Sequence, residues 1–315
     1  MPAVHDSFRL DFKVKILDQD EETGLIRWAM VPHPERYECI DLDGEPAYRD
    51  RFEGFIIPQR VIAEAAPTLT GLPLTFAPPL IKDAVAYIDS RRGPIAHRLA
   101  GGAPPAPAAD PSAELLAEMA GYEHEFAIIS IDLVSSTDLA GELARRDYLA
   151  LIDTISTELA EIAPLFHGHV LKFTGDGALF FIPGPSRNQQ NDLAIDCALT
   201  MRGLIYRALN PQLAEVGLPL IDVRIGIDAG AASVHVLGSP MSKRGPDLIG
   251  EVVNLACKVE GAGDAGDICI GGVAAHSMHR QWRDLLEPMV APPNWQYSDE
   301  YEEPYPLYRV RRNVQ

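Results

Sequence analysis

Two segments of the chain end apolar, β-branched runs on an aspartate: Ile128-Ile129-Ser130-Ile131-Asp132-Leu133-Val134-Ser135-Ser136-Thr137 and Leu171-Lys172-Phe173-Thr174-Gly175-Asp176-Gly177. Each reads as a buried strand that delivers a polar residue at a turn. Two such strands side by side would bring Asp132 and Asp176 together, and a pair of hard carboxylates suits magnesium or manganese. Apolar residues resume straight after Gly175-Asp176-Gly177, so Val170 to Phe173 and Ala178 to Ile182 predict a hairpin about that turn.

The surrounding periodicities supply the remaining elements. Ser112 to Met119 predicts a lead-in helix and Phe126 to Ile131 a first strand. Asp138 to Ala163 then carries Leu139, Leu143, Leu149, Ile152, Ile155, Leu159 and Ile162 at helical spacing. Farther on, Leu193 to Leu209 and Glu251 to Glu260 read as helices, and Val223 to Ile227, Ala232 to Val236 and Ile268 to Gly271 as strands. Strands that alternate with helices yet include hairpins imply an α+β fold, with a mixed or antiparallel sheet covered by helices on one side.

Gly101-Gly102-Ala103-Pro104-Pro105-Ala106-Pro107-Ala108-Ala109-Asp110-Pro111 is too rich in proline and glycine for a helix or central strand. It divides the chain into an N-terminal unit (1–100), a linker (101–112), a main domain (113–285) and a tail (286–315) with room for a final strand. Before the linker, Phe8 to Ile16 alternates as a strand with a partner at Leu25 to Met30, and Gln59 to Ala66 and Ile81 to Ala100 read as helices. This is a small α+β unit without a catalytic motif.

The 315 residues suffice for two modest domains, and a formal charge of −18 repels polyphosphate backbones, which excludes nucleic acid as a partner. A small nucleotide bound with metal ions stays compatible. No apolar run approaches bilayer length and the start has no basic region followed by an apolar stretch, so a cytoplasmic protein without a membrane partner is expected. Cys39, Cys197, Cys257 and Cys269 show no Cys-x-x-Cys spacing, which predicts reduced, buried thiols and no zinc. The pairs His167 with His169 and His276 with His279 lack a third ligand and read as structural.

Four blocks occur in the order found in class III nucleotidyl cyclase catalytic domains, which the chain resembles from about Phe126 to Gly271. They are Ile131-Asp132-Leu133-Val134-Ser135-Ser136-Thr137, Lys172-Phe173-Thr174-Gly175-Asp176-Gly177, Val223-Arg224-Ile225-Gly226-Ile227-Asp228-Ala229-Gly230, and Asp247-Leu248-Ile249-Gly250-Glu251-Val252-Val253-Asn254-Leu255-Ala256-Cys257-Lys258. The resemblance implies the ferredoxin-like fold of that class. It also implies that Asp132, Asp176 and the Leu133 carbonyl hold two divalent metal ions, magnesium or manganese. Ser135, Ser136 and Thr137 would offer backbone amides to phosphate oxygens, although the family often has glycine at Ser135. Arg224 would approach the terminal phosphates, Asn254 would orient the ribose, and Lys258 would stabilise charge on the α-phosphate. The family usually has arginine at Lys258, and its late phosphate-binding lysine has no counterpart here; Arg309, Arg311 and Arg312 are candidate replacements.

In the family, the metal aspartates and the base and transition-state residues come from opposite domains, which implies a homodimer with shared active sites. The expected reaction turns a nucleoside triphosphate into a 3′,5′-cyclic nucleotide and pyrophosphate. Lys172 and Asp247 fall at the positions where the family reads adenine with a lysine and an aspartate, which places ATP ahead of GTP. Bacterial pyrimidine cyclases of anti-phage signalling, which make cyclic UMP or cyclic CMP, are the alternative. A degenerate cyclase that only binds nucleotide or a partner is a third reading, against which the retained Asp132, Asp176 and Asn254 stand. The Gly-Gly-Asp/Glu-Glu-Phe turn of diguanylate cyclases is absent.

Overall fold

The computed structural model describes residues 12–19, 26–34, 36–42, 44–51, 54, 56–61, 79–102, 111–184, 186–239, 244–299 and 302–311. The chain divides into two units, Met1–Thr75 and Phe76–Gln315. In the first, β1 (Phe12–Gln19) pairs antiparallel with β2 (Ile26–Pro32). Three further strands, β3 (Tyr37–Leu42), β4 (Glu45–Asp50) and β5 (Ile56–Pro58), form a second antiparallel sheet. Of the helix expected over Gln59 to Ala66, residues 59–61 are helical and the remainder lies outside the described residues.

The helix expected to close the N-terminal unit belongs to the second unit instead. α1 (Ala84–Leu99) starts at Asp83, whose side chain accepts from the Ala86 N–H at 3.0 Å. Its Ile88 and Ile95 are buried in the main core, and Arg91 donates through Nε and Nη2 to the buried Glu158 at 2.7 and 2.9 Å. The boundary therefore falls near residue 75 and not at the proline-rich stretch, because the main core covers the apolar face of α1. Residues 103–110 of that stretch lie outside the described residues.

The second unit continues through α2 (Pro111–Glu118), β6 (Glu123–Leu133), α3 (Ser136–Glu142), α4 (Arg145–Ile162), β7 (His169–Phe173) and β8 (Ala178–Pro183). There follow α5 (Arg187–Leu204), α6 (Asn210–Glu215), β9 (Val223–Gly238), β10 (Arg244–Ile249) and α7 (Glu251–Gly261). The last elements are β11 (Ile268–Gly271), α8 (Gly272–Ser277), α9 (Arg280–Arg283), β12 (Leu286–Met289) and β13 (Leu307–Val310). The sheet runs β12-β13-β11-β9-β6-β8-β7, with β10 paired to the far half of β9. It is mixed, since β11 joins β9 in parallel and its other pairs are antiparallel.

β6 is central and buried on both faces. Ala127, Ile129, Ile131 and Leu133 enter the larger core with residues of α1, α4 and α5, whereas Phe126 and Ile128 meet Val252, Val253 and Ala256 of α7 and Leu116 of α2. Helices therefore cover both faces of the sheet, not one. A helix over Glu251 to Glu260 has a buried stripe of its own, and the second face of the strands is apolar enough to take it.

Three elements depart from the periodicity reading. The two strands expected between Val223 and Val236 are one, because Asp228 to Ala231 stay in register with Glu125 to Ile128 of β6 despite their weak strand propensity. The single helix expected over Asp138 to Ala163 is broken at Leu143 and Ala144, which are extended at ψ 148° and 139°. The helix ending at Leu209 instead passes through a π turn at Ile205–Leu209 into α6. Among the described residues no helix is long and apolar enough to cross a membrane.

Candidate active site

Register places the acidic residues. Ile131 of β6 pairs with Ala178 of β8, and Asp132 pairs with Arg224 of β9, so Asp132 stands between the Asp176 turn and an arginine. The turn closes through a hydrogen bond from the Thr174 N–H to the Gly177 carbonyl at 2.9 Å. A Cβ on Gly177 would lie 2.7 Å from both Asp132 Oδ1 and the Ile131 carbonyl, so the absence of a side chain lets the hairpin shut against the carboxylate. Burial, and then the charge of Asp176, push the Asp132 carboxyl above its usual range. Arg224 and the Leu133 N–H act in the other direction. The two predicted metal aspartates are thus brought together.

Arg224 is joined directly to Asp132. Its Nη2 lies 3.3 Å from Asp132 Oδ2 and its Nε 2.8 Å from Glu260 Oε1. Glu260 was not among the predicted site residues. It lies on the buried side of α7, only 7% exposed, and burial pushes its carboxyl up to about 7 against the opposing charge of Arg224. The close approach of α7 to β9 depends on Gly226, where a Cβ would meet the Glu260 nitrogen at 2.3 Å and the Ala256 carbonyl at 2.4 Å. A sequence signal for Glu260 exists, since an acidic residue on the apolar stripe of a helix needs a cationic partner, but nothing in the sequence says which cation that is.

A second buried carboxylate, Asp228, continues that face. It accepts from the Tyr305 hydroxyl at 2.9–3.0 Å and from the Ala229 N–H at 2.8 Å, and burial pushes it up to about 6. It serves the fold, tying the segment before β13 to β9.

Lys172 and Asp247 form an ion pair, with Nζ 3.2 Å from Oδ2. β7 and β10 bring them together although they stand far apart in sequence. Their neighbours Phe173 and Ile249 are exposed apolar side chains. Ser135 adopts a left-handed backbone at φ 55°, a conformation that glycine takes more readily, and leads into the first turn of α3 with Ser136 and Thr137. Leu133 has a buried side chain, which leaves only its backbone to the site.

Asn254 and Lys258 lie on the exposed face of α7, and among the described residues no hydrogen bond or ion pair joins either to the carboxylate cluster. Of the candidate late cations, Arg309 is engaged by Glu287 at 2.6 Å and Asp267 at 3.9 Å, Arg311 is exposed, and Arg312 lies outside the described residues. Cys197 and Cys269 are buried free thiols, whereas Cys39 is exposed and Cys257 half-buried. His169 stacks on Phe181 and His276 bonds the Gly272 carbonyl, while His279 pairs with Asp192. Among the described residues no three His, Cys, Asp or Glu side chains converge as a metal site, so the carboxylates form a pair and not a closed cage.

Residues 119–284 match the adenylate and guanylate cyclase catalytic domain. A cytidylate cyclase of Escherichia coli is 29% identical over 115 residues, 35% of this chain and 25% of that protein. A uridylate cyclase of Micromonospora echinofusca is 24% identical over 144 residues, 45% of this chain and 46% of that protein. The matches thus span less than half the length of these curated relatives. Among solved structures, the guanylyl cyclase Cya2 superposes with a TM-score of 0.53 at 22% identity, covering 61% of this chain and 94% of that one. The adenylyl cyclase CyaB from P. aeruginosa gives 0.52 at 23% identity, covering 62% and 98%. At these identities the two structures speak to the fold alone.

Proposed function

Because the chain belongs to the adenylate and guanylate cyclase catalytic domain family, we propose that it converts a pyrimidine nucleoside triphosphate, CTP or UTP, into its 3′,5′-cyclic monophosphate and pyrophosphate. Cyclase chemistry is supported above all by the joining of Asp132, Asp176 and Arg224 at one strand end. The pyrimidine choice is supported by the similarity to a cytidylate and a uridylate cyclase.

The residues fit a pair of divalent ions, magnesium or manganese. Asp132 and Asp176 supply hard oxygens, and burial together with the charge of Asp176, which raise the Asp132 carboxyl, are what a bound cation would offset. With the Leu133 carbonyl they would hold the ions, and magnesium typically completes its shell with water and substrate phosphates. Such ions, when bound, lower the pKa of the ribose 3′-hydroxyl and offset phosphate charge. The side chains do the rest. Arg224 would bind the terminal phosphates, and the amides of Ser135, Ser136 and Thr137 the phosphate oxygens. Asn254 would orient the ribose, whose 3′-oxygen would lose its proton to water and bond to the α-phosphorus as the bond to the leaving pyrophosphate breaks. Lys258 would meet the charge that develops there. Its point charge lacks the planar fork of arginine, so alignment depends more on the other contacts.

Lys172 and Asp247 would read the base. Adenine offers N1 as acceptor beside a 6-amino donor, and cytosine offers N3 beside a 4-amino donor, the same pair of contacts for a lysine and an aspartate. Uracil also presents a carbonyl acceptor beside an N–H donor. Hydrogen bonding by this pair therefore accommodates a pyrimidine as well as adenine, and pocket size must separate them. The Lys172–Asp247 contact favours one second reading, ATP to cyclic AMP.

Incubating the purified protein with manganese and each of the four triphosphates, with mass spectrometry of the products, tests the assignment. Cyclic CMP or cyclic UMP is expected. Cyclic AMP alone would transfer the assignment to ATP, and no cyclic product from any triphosphate would overturn the cyclase reading.

A further inference from the structure

A guanidinium bonds its surroundings along two edges. On one edge of Arg224, Nε faces Glu260 Oε1 at 2.8 Å and Nη2 faces Asp132 Oδ2 at 3.3 Å. Nη1 makes no hydrogen bond to protein among the described residues. The arginine side chain is 30% exposed, whereas that of Glu260 is 10% exposed. The group is thus held from the buried side and open toward solvent beside Asp132. The contact with Glu260 is not squarely aligned, for neither Nε nor Oε1 completes a hydrogen bond although both are buried. A carboxylate at Nε leaves the opposite edge of the fork free to point outward.

We propose that Glu260 is a positioning residue: it pins the Nε edge of Arg224 so that the opposite edge is presented, beside Asp132, to the terminal phosphates of a nucleoside triphosphate. This rests on the reading of the cluster as a triphosphate site. Glu260 reaches Arg224 because Gly226 lets α7 lie directly on β9, so the length of the glutamate side chain matters to the function. Reach and charge can be separated. Glutamine keeps the reach and an acceptor oxygen but loses the charge, whereas aspartate keeps the charge and loses one methylene of reach.

The test is calorimetric binding of manganese with inorganic tripolyphosphate to the full chain, independent of turnover, with urea unfolding of every variant alongside. Glu260→Ala and Glu260→Asp should each weaken binding about tenfold, as the fork of Arg224 loses its orientation toward the phosphates and with it about one phosphate contact. Glu260→Gln should stay within about threefold of the parent. Arg224→Ala should lose at least as much as Glu260→Ala, and adding Glu260→Ala to it should cost nothing further. The reverse order, Glu260→Asp intact and Glu260→Gln weakened, would make Glu260 a counterion and overturn the proposal. Additive losses in the double variant would also overturn it. If Arg224→Ala binds tripolyphosphate like the parent, the phosphate reading of the cluster fails, and the Glu260 proposal with it. Should Glu260→Ala not fold, the comparison of glutamine with aspartate decides the matter.

Discussion

As a metal ligand Asp132 would meet two opposing demands: it would have to stay ionised, yet it is half-buried and faces Asp176. Arg224 offsets part of the cost of ionisation in the free protein, which makes the local charge balance a property of the cluster and not of one side chain. Asp132→Ala or Asp176→Ala should lower cyclase turnover at least about a hundredfold, since each would remove a metal ligand worth several kcal/mol at the transition state. Neither fills the core, so thermal unfolding should change little. Full activity of either variant at limiting manganese would contradict the assignment. Asp228 presents the contrasting case of a carboxylate that the fold raises to about 6. A carboxyl raised by folding contributes stability that is complete below its unfolded pKa, about 3.9, and lost as pH climbs through the folded value. The Tyr305 hydroxyl restrains that rise by donating to the ionised form. Tyr305→Phe should therefore cost about 1–3 kcal/mol at pH 8 and distinctly less at pH 5. Urea unfolding at both pH values checks this; an equal deficit at both would refute it.

At the scale of elements, α7 carries three of the side chains to which a role is proposed. Its outer face bears Asn254 and Lys258 and its inner face Glu260, so its seat on β9 sets all three. Gly226 governs that seat. Gly226→Ala should push the helix outward, destabilise the fold by about 1–3 kcal/mol and depress turnover beyond what lost stability explains. Gly230→Ala is the control, since its Cβ would meet Val252 at an ordinary 3.4 Å. Comparable damage from both substitutions would remove Gly226 from this role. The helix itself is legible from Val252, Val253, Ala256 and Val259, but the continuity of β9 is not. Asp228-Ala229-Gly230-Ala231 looks like a turn until β6 is there to pair with it. The break between α3 and α4 is equally hidden, because the apolar spacing runs on past Leu143 while the backbone does not.

At the scale of the molecule, no hydrogen bond or ion pair among the described residues joins the carboxylate cluster to the exposed Asn254 and Lys258, and Phe173 and Ile249 leave apolar surface beside the Lys172–Asp247 pair. A two-fold dimer with each site shared between subunits would answer both features. Mixing inactive Asp132→Ala with inactive Asn254→Ala should then restore activity toward one competent site per mixed dimer. Absence of recovery, with subunit exchange verified by sedimentation of labelled chains, would place each site within a single subunit. The unit boundary is also a property of the whole. Proline and glycine mark a stretch that cannot be a central strand, but they do not say to which side the preceding helix packs. Ile88, Ile95 and Arg91 settle that through the main core and Glu158.

The chain by itself determines what local chemistry can express: apolar runs that must become buried strands, an aspartate-glycine turn that must reverse the chain, and helical stripes that must be covered. From these follow the hairpin, most of the elements and the meeting of Asp132 with Asp176. Only the tertiary structure decides which buried charges answer one another, because ion pairing depends on distances between elements that no periodicity encodes. Arg224 could not be given Glu260 as a partner before Gly226 brought α7 down onto β9. Nor could Asp228 be given Tyr305 before the segment preceding β13 returned to the sheet. Local pattern sets the faces, and strand register together with helix–sheet distance sets the contacts between them.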